Sequence, residues 1–257
     1  MLKSKIQTRQ LRPQWNEDKL KEIAQEMVGK GHKGLRVEKS KITVKSLDFL
    51  VDFKHLESLE IHDIAKGISV VSNLKKLKEF AICGISTKSL DFLNELKDLE
   101  ILLYQGTQLK DYDSFRKLKQ IKALKLFNLK KLDNIDFIED MESLQYLELT
   151  WCSKILKFPK LNKLTRLRRV YIDTMKRLQD ISGISKAPNL EELIILQTPE
   201  LPAESLKDFI KHPKLKTIIP GLDLINSKKY KEANKILPDK LTKNEFFGTP
   251  NENFELI

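Results

Sequence analysis

The chain has 257 residues, 40% hydrophobic and 32% charged, and its 47 Lys and Arg against 36 Asp and Glu give a formal net charge of +11. That apolar content is enough for a sizeable core, while no run approaches the roughly 18 consecutive apolar residues that a membrane-spanning helix needs. Cys83 and Cys152 are too few for a disulfide framework and fit a reducing compartment.

Residues 1–15 lack the apolar stretch of a secretory leader, so a cytoplasmic address is expected. Residues 16–28 then predict a helix. Asn16 is a good N-cap, Glu17 and Asp18 suit the positive helix end, and Trp15 can staple onto Leu20. Leu20, Ile23, Ala24 and Met27 share one face, and Gly29 is expected to stop the helix. The run Gly29-Lys30-Gly31-His32-Lys33-Gly34 satisfies GxGxxG, but a dinucleotide fingerprint needs a strand before it and a helix after it. Here the order is reversed, and the run reads as a linker.

From residue 35 the chain repeats itself. With L standing for any large aliphatic, LxxLxL recurs at Leu56-Leu59-Ile61, Leu77-Phe80-Ile82, Leu99-Leu102-Tyr104, Ile121-Leu124-Leu126, Leu144-Leu147-Leu149, Leu167-Val170-Ile172 and Leu190-Leu193-Ile195. The copies step by 21, 22, 22, 23, 23 and 23 residues, with weaker copies at Leu35-Val37 and at Leu215 and Ile218. Regular self-similarity of this length marks a repeat architecture. KSLDFL stands at Lys45–Leu50 and again at Lys88–Leu93, two repeats apart, and predicts a short helix or 3₁₀ turn on the wall opposite the strands. Near the end, Ser227 opens a second helical segment with Tyr230, Ala233 and Leu237 on one face, closed by Pro238. Residues 239–257 have no periodicity, though Phe246, Phe247 and Phe254 point to partial docking.

Period and phase together make residues 35–220 resemble the leucine-rich-repeat family, in its short bacterial and SDS22-like classes. The resemblance implies an α/β fold: a right-handed solenoid, curved as a horseshoe, with parallel strands on the concave face. The expected organisation is one structural domain, with an N-terminal capping helix and linker (1–34), the repeat array (35–222) and a C-terminal cap helix and tail (223–257). The family usually places Asn or Cys three residues after the last strand aliphatic. Here that position holds Ile64, Ile85, Thr107, Leu129, Cys152, Met175 and Thr198, so the usual asparagine ladder is missing and apolar packing is expected to replace it.

No catalytic constellation emerges. His32, His55, His62 and His212 are scattered, with His62-Asp63 the one His–carboxylate neighbour, and no Walker loop, HExxH, CxxC pair or nucleophile elbow occurs. No catalytic, cofactor or metal residue is therefore expected. The remaining candidate is the concave face. Side chains alternate along a strand, so if the triplets point inward their neighbours face outward. Ile101, Leu103, Phe127, Tyr146, Tyr171, Ile194 and Leu196, with Arg169, are then the candidate protein-binding residues, since large apolar groups and tyrosine at exposed positions mark interaction surfaces. The expected function is a cytoplasmic, monomeric, non-catalytic module that binds another protein, as a scaffold or as an inhibitor or immunity-type protein occluding a toxin or enzyme. The alternative is a nucleic-acid binder using Arg166, Arg168, Arg169, Lys122 and Lys125, in a stretch (109–177) where 17 cations face 9 acids.

Overall fold

Each triplet becomes a five-residue parallel strand, because its aliphatics can be buried only when one repeat stacks on the next. The structure, a computed structural model, describes residues 6–11, 16–41, 45–106, 109–224, 227–241 and 254–257. Trp15 and its staple, Thr107, Phe246 and Phe247 lie outside the described residues. The chain forms two compact units, residues 3–121 and residues 122–257.

In the first unit, β1 (Thr8–Gln10), β2 (Gly34–Glu38), β3 (Ser58–His62), β4 (Glu79–Cys83) and β5 (Ile101–Gln105) pair in chain order, all parallel. The register matches repeat to repeat: Leu35 stands beside Leu59, Leu59 beside Phe80, and Phe80 beside Leu102. The inward residues of β2 to β5 are buried, Tyr104 included. Its large ring is admitted because Gly106 has no side chain, and a Cβ there would lie 2.7 Å from the phenol oxygen. The buried hydroxyl donates to the carbonyl of Ile85 at 3.3 Å, and the ring meets Phe115 edge-on at 6.2 Å. β1 is a strand that periodicity did not predict.

Helix α1 (Glu17–Gly29) starts as its sequence demands, with the Asn16 side chain accepting from the Lys19 N–H at 3.0 Å. Leu20, Ile23, Ala24 and Met27 are buried, and the helix packs against the 3₁₀ turn Asp48–Asp52, the first KSLDFL segment. Its stop differs from expectation. Gly29 is still helical, and the left-handed residue is Gly31, at φ 67°. The N–H of Gly31 reaches the carbonyl of Val28 and that of His32 the carbonyl of Met27, closing the helix end as a Schellman motif.

In the second unit, β6 (Ala123–Phe127), β7 (Tyr146–Thr150), β8 (Arg169–Asp173), β9 (Glu192–Leu196) and β10 (Thr217–Gly221) again pair parallel and in order. Leu124, Leu147, Val170, Leu193 and Ile218 form one inward row. The opposite wall carries 3₁₀ turns at Asp136–Asp140, Ile184–Lys186 and Ala203–Phe209. Helix α2 (Lys228–Ile236), capped by the Ser227 side chain, packs on the last of these and on β10.

The missing asparagine ladder is replaced in two ways. Ile64, Ile85, Leu129, Cys152, Met175 and Thr198 are all buried, so the position is filled by packing. Only Cys152 among them keeps a polar role, its thiol 3.8 Å from the carbonyl of Leu126. The residue just before each is left-handed: Asp63, Gly84, Asn128, Trp151, Thr174 and Gln197 all have φ between 49° and 68°. Their N–H groups donate to the last residue of the following strand, as in Asp63 to Cys83 (3.0 Å), Asn128 to Thr150 (2.9 Å) and Trp151 to Asp173 (3.0 Å). Beside the expected apolar packing, a left-handed backbone ladder thus does the joining that asparagine side chains usually do.

Candidate functional site

Strand alternation places the expected residues on the outward face, but their burial is uneven. In the first unit Ile101 and Leu103 are half-buried, and Leu103 stands in register with Ala81, Ala81 with Glu60, and Glu60 with Arg36. This central row is therefore ionic over β2 and β3 and apolar over β4 and β5. Arg36 meets Glu60 at 3.2 Å, and His62 Nε2 lies 2.5 Å from the same carboxylate, so the histidine's partner is Glu60 and not Asp63. Burial, with the Glu60 charge adding to it, pushes the Cys83 thiol up to about 12.

In the second unit Phe127, Tyr171 and Leu196 are half-buried, as a partly open face requires. Tyr146, Arg169 and Ile194 are not exposed as expected; all three are buried. Ile194 is enclosed in its row by Tyr171 and Ile219, its register neighbours on the two flanking strands. Arg169 is ion-paired through Nε to Glu192, in a row that also holds Tyr146. Tyr146 donates its hydroxyl to Glu148 at 2.7 Å, and Lys125 lies 3.9 Å from the same carboxylate. Burial drives the Tyr146 hydroxyl well above its ordinary value, and Glu148 adds to the rise; Tyr171 shifts the same way, from burial and then the charge of Asp173. These phenols stay protonated hydrogen-bond donors.

The cover over Tyr146 and Arg169 comes from the C-terminal segment. The Phe254 ring lies 5.5 Å from the Tyr146 ring, and the guanidinium carbons of Arg168 and Arg169 each sit 4.6 Å from the Phe254 centroid. Gln145, just before β7, holds the Ile257 backbone twice: its Oε1 accepts from the N–H at 2.8 Å and its Nε2 donates to the oxygen at 2.6 Å. Arg168 also donates to the carbonyl of Glu255. Beside Ile257 opens a cavity of about 450 Å³, with Arg166, Arg168 and Lys214 among its lining residues.

Two residues of this site, Gln145 and Trp151, escaped sequence reasoning, and Arg168 entered it only as a cation of the nucleic-acid alternative. Gln145 and Arg168 fall outside the strand alternation and matter only once the tail is in place. Trp151, 48% exposed and packed on Phe127 with centroids 4.9 Å apart, had a readable signal. It occupies the left-handed turn position that three other repeats fill with Asp63, Gly84 and Asn128, residue types tolerant of that conformation, and two with Thr174 and Gln197. Among the described residues no group of three or more His, Cys, Asp or Glu is placed to hold a metal, and no helix is long and apolar enough to cross a membrane.

No family model and no curated protein matches the sequence. Solved structures do match the fold. An internalin from Listeria monocytogenes superposes with a TM-score of 0.55 at 14% identity, over 91% of this chain and 71% of its own. The leucine-rich-repeat domain of the type III effector XopL gives 0.55 at 19% identity, covering 73% of this chain and 67% of the other. A leucine-rich-repeat protein of Leptospira interrogans gives 0.52 at 19% identity, covering 88% and 63%. The chain is an α/β leucine-rich-repeat solenoid in fold.

Proposed function

We propose that this chain is a non-catalytic protein-interaction module that takes its partner on the outward face of the sheet. The observation that carries the reading is the set of large side chains left partly open there in the second unit: Phe127, Trp151, Tyr171 and Leu196. The strand ladder and, for Trp151, the left-handed turn hold them in fixed positions, so little conformational entropy is lost when a partner covers them. Aromatic anchors beside charged groups are the make-up of interface hot spots. The reading takes the setting as cytoplasmic, consistent with two free, buried thiols, and the working form as a monomer.

Nucleic-acid binding fits the same face less well. Lys125 and Arg169 there are paired with Glu148 and Glu192, and Phe254 occupies the guanidinium planes of Arg168 and Arg169. The test is capture from native lysate by the immobilised wild-type chain and by a Phe127→Ala/Tyr171→Ala variant, each at low and high salt. A protein retained at both salts and lost with the variant supports the reading. Retention of nucleic acid that collapses with salt and survives the variant sinks it.

A further inference from the structure

Residues 254–257 are seated on the outward face as a ligand would be. Phe254 makes the side-chain contacts, enclosed by Tyr146, Arg168 and Arg169. The remaining anchors go to the backbone: the Glu255 carbonyl to Arg168, and the Ile257 N–H and oxygen to Gln145. A single buried glutamine thereby supplies the two bonds that a neighbouring strand would supply, and it does so without reading a side chain. Glu255 is exposed and Ile257 is 79% exposed, while the Phe254 ring and the backbone of Glu255 and Ile257 make the contacts named above. The seat itself is polar and enclosed, with Gln145 and Arg169 both buried.

We propose that the face over the start of β7 and β8 is a groove for an extended peptide that presents an aromatic side chain, and that residues 254–257 of this chain fill it as a competing occupant. This rests on the outward-face reading above and names the chemistry of the partner. Around the adjoining cavity Arg166, Arg168 and Lys214 outnumber Glu191, which favours a partner peptide with acidic residues beside its aromatic one. The tail offers as apolar surface one ring, the half-buried Leu256 and Ile257, which is 79% exposed, so it is held weakly by area. It nonetheless competes from the same chain, at an effective concentration on the order of millimolar. A weak tail therefore masks the groove from a dilute partner and yields to a tighter one.

The probe is a fluorescently labelled peptide of residues 253–257, titrated by anisotropy into full-length wild type and full-length Phe254→Ala. Removing the ring loosens the tail, so the variant is expected to bind the peptide at least tenfold more tightly than wild type. Adding Gln145→Ala should abolish that gain. N-methylation of the peptide at its Ile257 nitrogen removes the donor to Gln145 without touching the protein, and should cost about tenfold, which keeps the test valid if Gln145→Ala folds poorly. Equal affinity of the peptide for wild type and Phe254→Ala overturns the proposal, as does a wild-type mass showing a dimer that exchanges tails between copies. Partner capture by the Phe127→Ala/Tyr171→Ala variant does not involve residue 254. Its loss together with equal peptide affinities would remove the groove and leave the outward-face reading standing.

Discussion

Gly84 and Thr174 make the same left-handed turn in different repeats, and the difference between them predicts unequal responses to mutation. At Gly84 the φ of 68° admits glycine freely, and an added Cβ would lie 2.0 Å from Asp63 Oδ1. Gly84→Ala meets both the left-handed penalty of about 1–2 kcal/mol and that clash, so a loss of about 2 kcal/mol is expected by urea denaturation. Thr174→Gly relieves a similar penalty. Against that stand the unfolded-state entropy of glycine, about 0.5–1 kcal/mol, and the bond from Thr174 Oγ1 to Asp173 at 2.8 Å. The terms nearly cancel, and stability should stay within about 0.5 kcal/mol of wild type. A large loss in Thr174→Gly would mean that the turn is not strained. The outward tyrosines divide in a similar way. Tyr171→Ala, at a half-buried position, should leave the melting temperature almost unchanged while costing about 1–3 kcal/mol of partner binding. Tyr146→Ala removes a buried ring and the hydroxyl bonded to Glu148, so it should cost about 3 kcal/mol of folding stability. Equal melting of the two variants would refute this division.

At the scale of the element, α1 carries the clearest expectation, because it covers the first repeat with a single apolar face. Leu20 and Met27 are fully buried against the turn Asp48–Asp52, and truncating either to alanine should cost about 2–5 kcal/mol, read as a lower urea midpoint at constant slope. An unchanged midpoint would show that the helix seals nothing. This helix was legible in the sequence because its signals are local: a cap at Asn16, a 3.6-residue apolar rhythm, and glycines at the end. The strands were legible for a related reason, since repetition at 21–23 residues fixes register without any single strand being distinctive. What stayed hidden depends on distance or on shortness. β1 spans three residues, too few to show a period, and becomes a strand only because β2 offers its open edge. The tail seat joins positions 112 apart in sequence, and nothing in Phe-Glu-Leu-Ile points to Gln145. The exposure of Tyr146, Arg169 and Ile194 was misjudged because alternation tells which way a side chain points and not what lies over it. The left-handed ladder was half visible, as Asp63, Gly84 and Asn128 are turn-prone residues in phase.

For the molecule as a whole, four buried acids and the half-buried Tyr171 among the described residues set its response to alkali. Burial pushes Cys152 up to about 11 and Cys83 up to about 12, and it raises Tyr104, Tyr146 and Tyr171 as well. In the unfolded chain a thiol ionises near pH 8.5 and a phenol near pH 10. The folded state therefore holds protons that the unfolded state has released, and stability falls as pH rises through that interval. The window opens at about pH 8.5, where only the thiols contribute, and steepens above about pH 10 as the tyrosines join. Each thiol lowers stability by at most about 1.4 kcal/mol per pH unit within its window. A second effect runs the other way, because losing positive charge from a +11 chain relieves self-repulsion. Substitution separates the two. Cys83→Ala/Cys152→Ala removes the thiol contribution and leaves net charge at neutral pH unchanged. Urea unfolding at pH 8, 9 and 10 should show wild type losing stability across the series and the double variant losing much less. Parallel slopes for the two proteins would mean that the thiols ionise as readily when folded as when unfolded, and that burial does not set the alkaline limit.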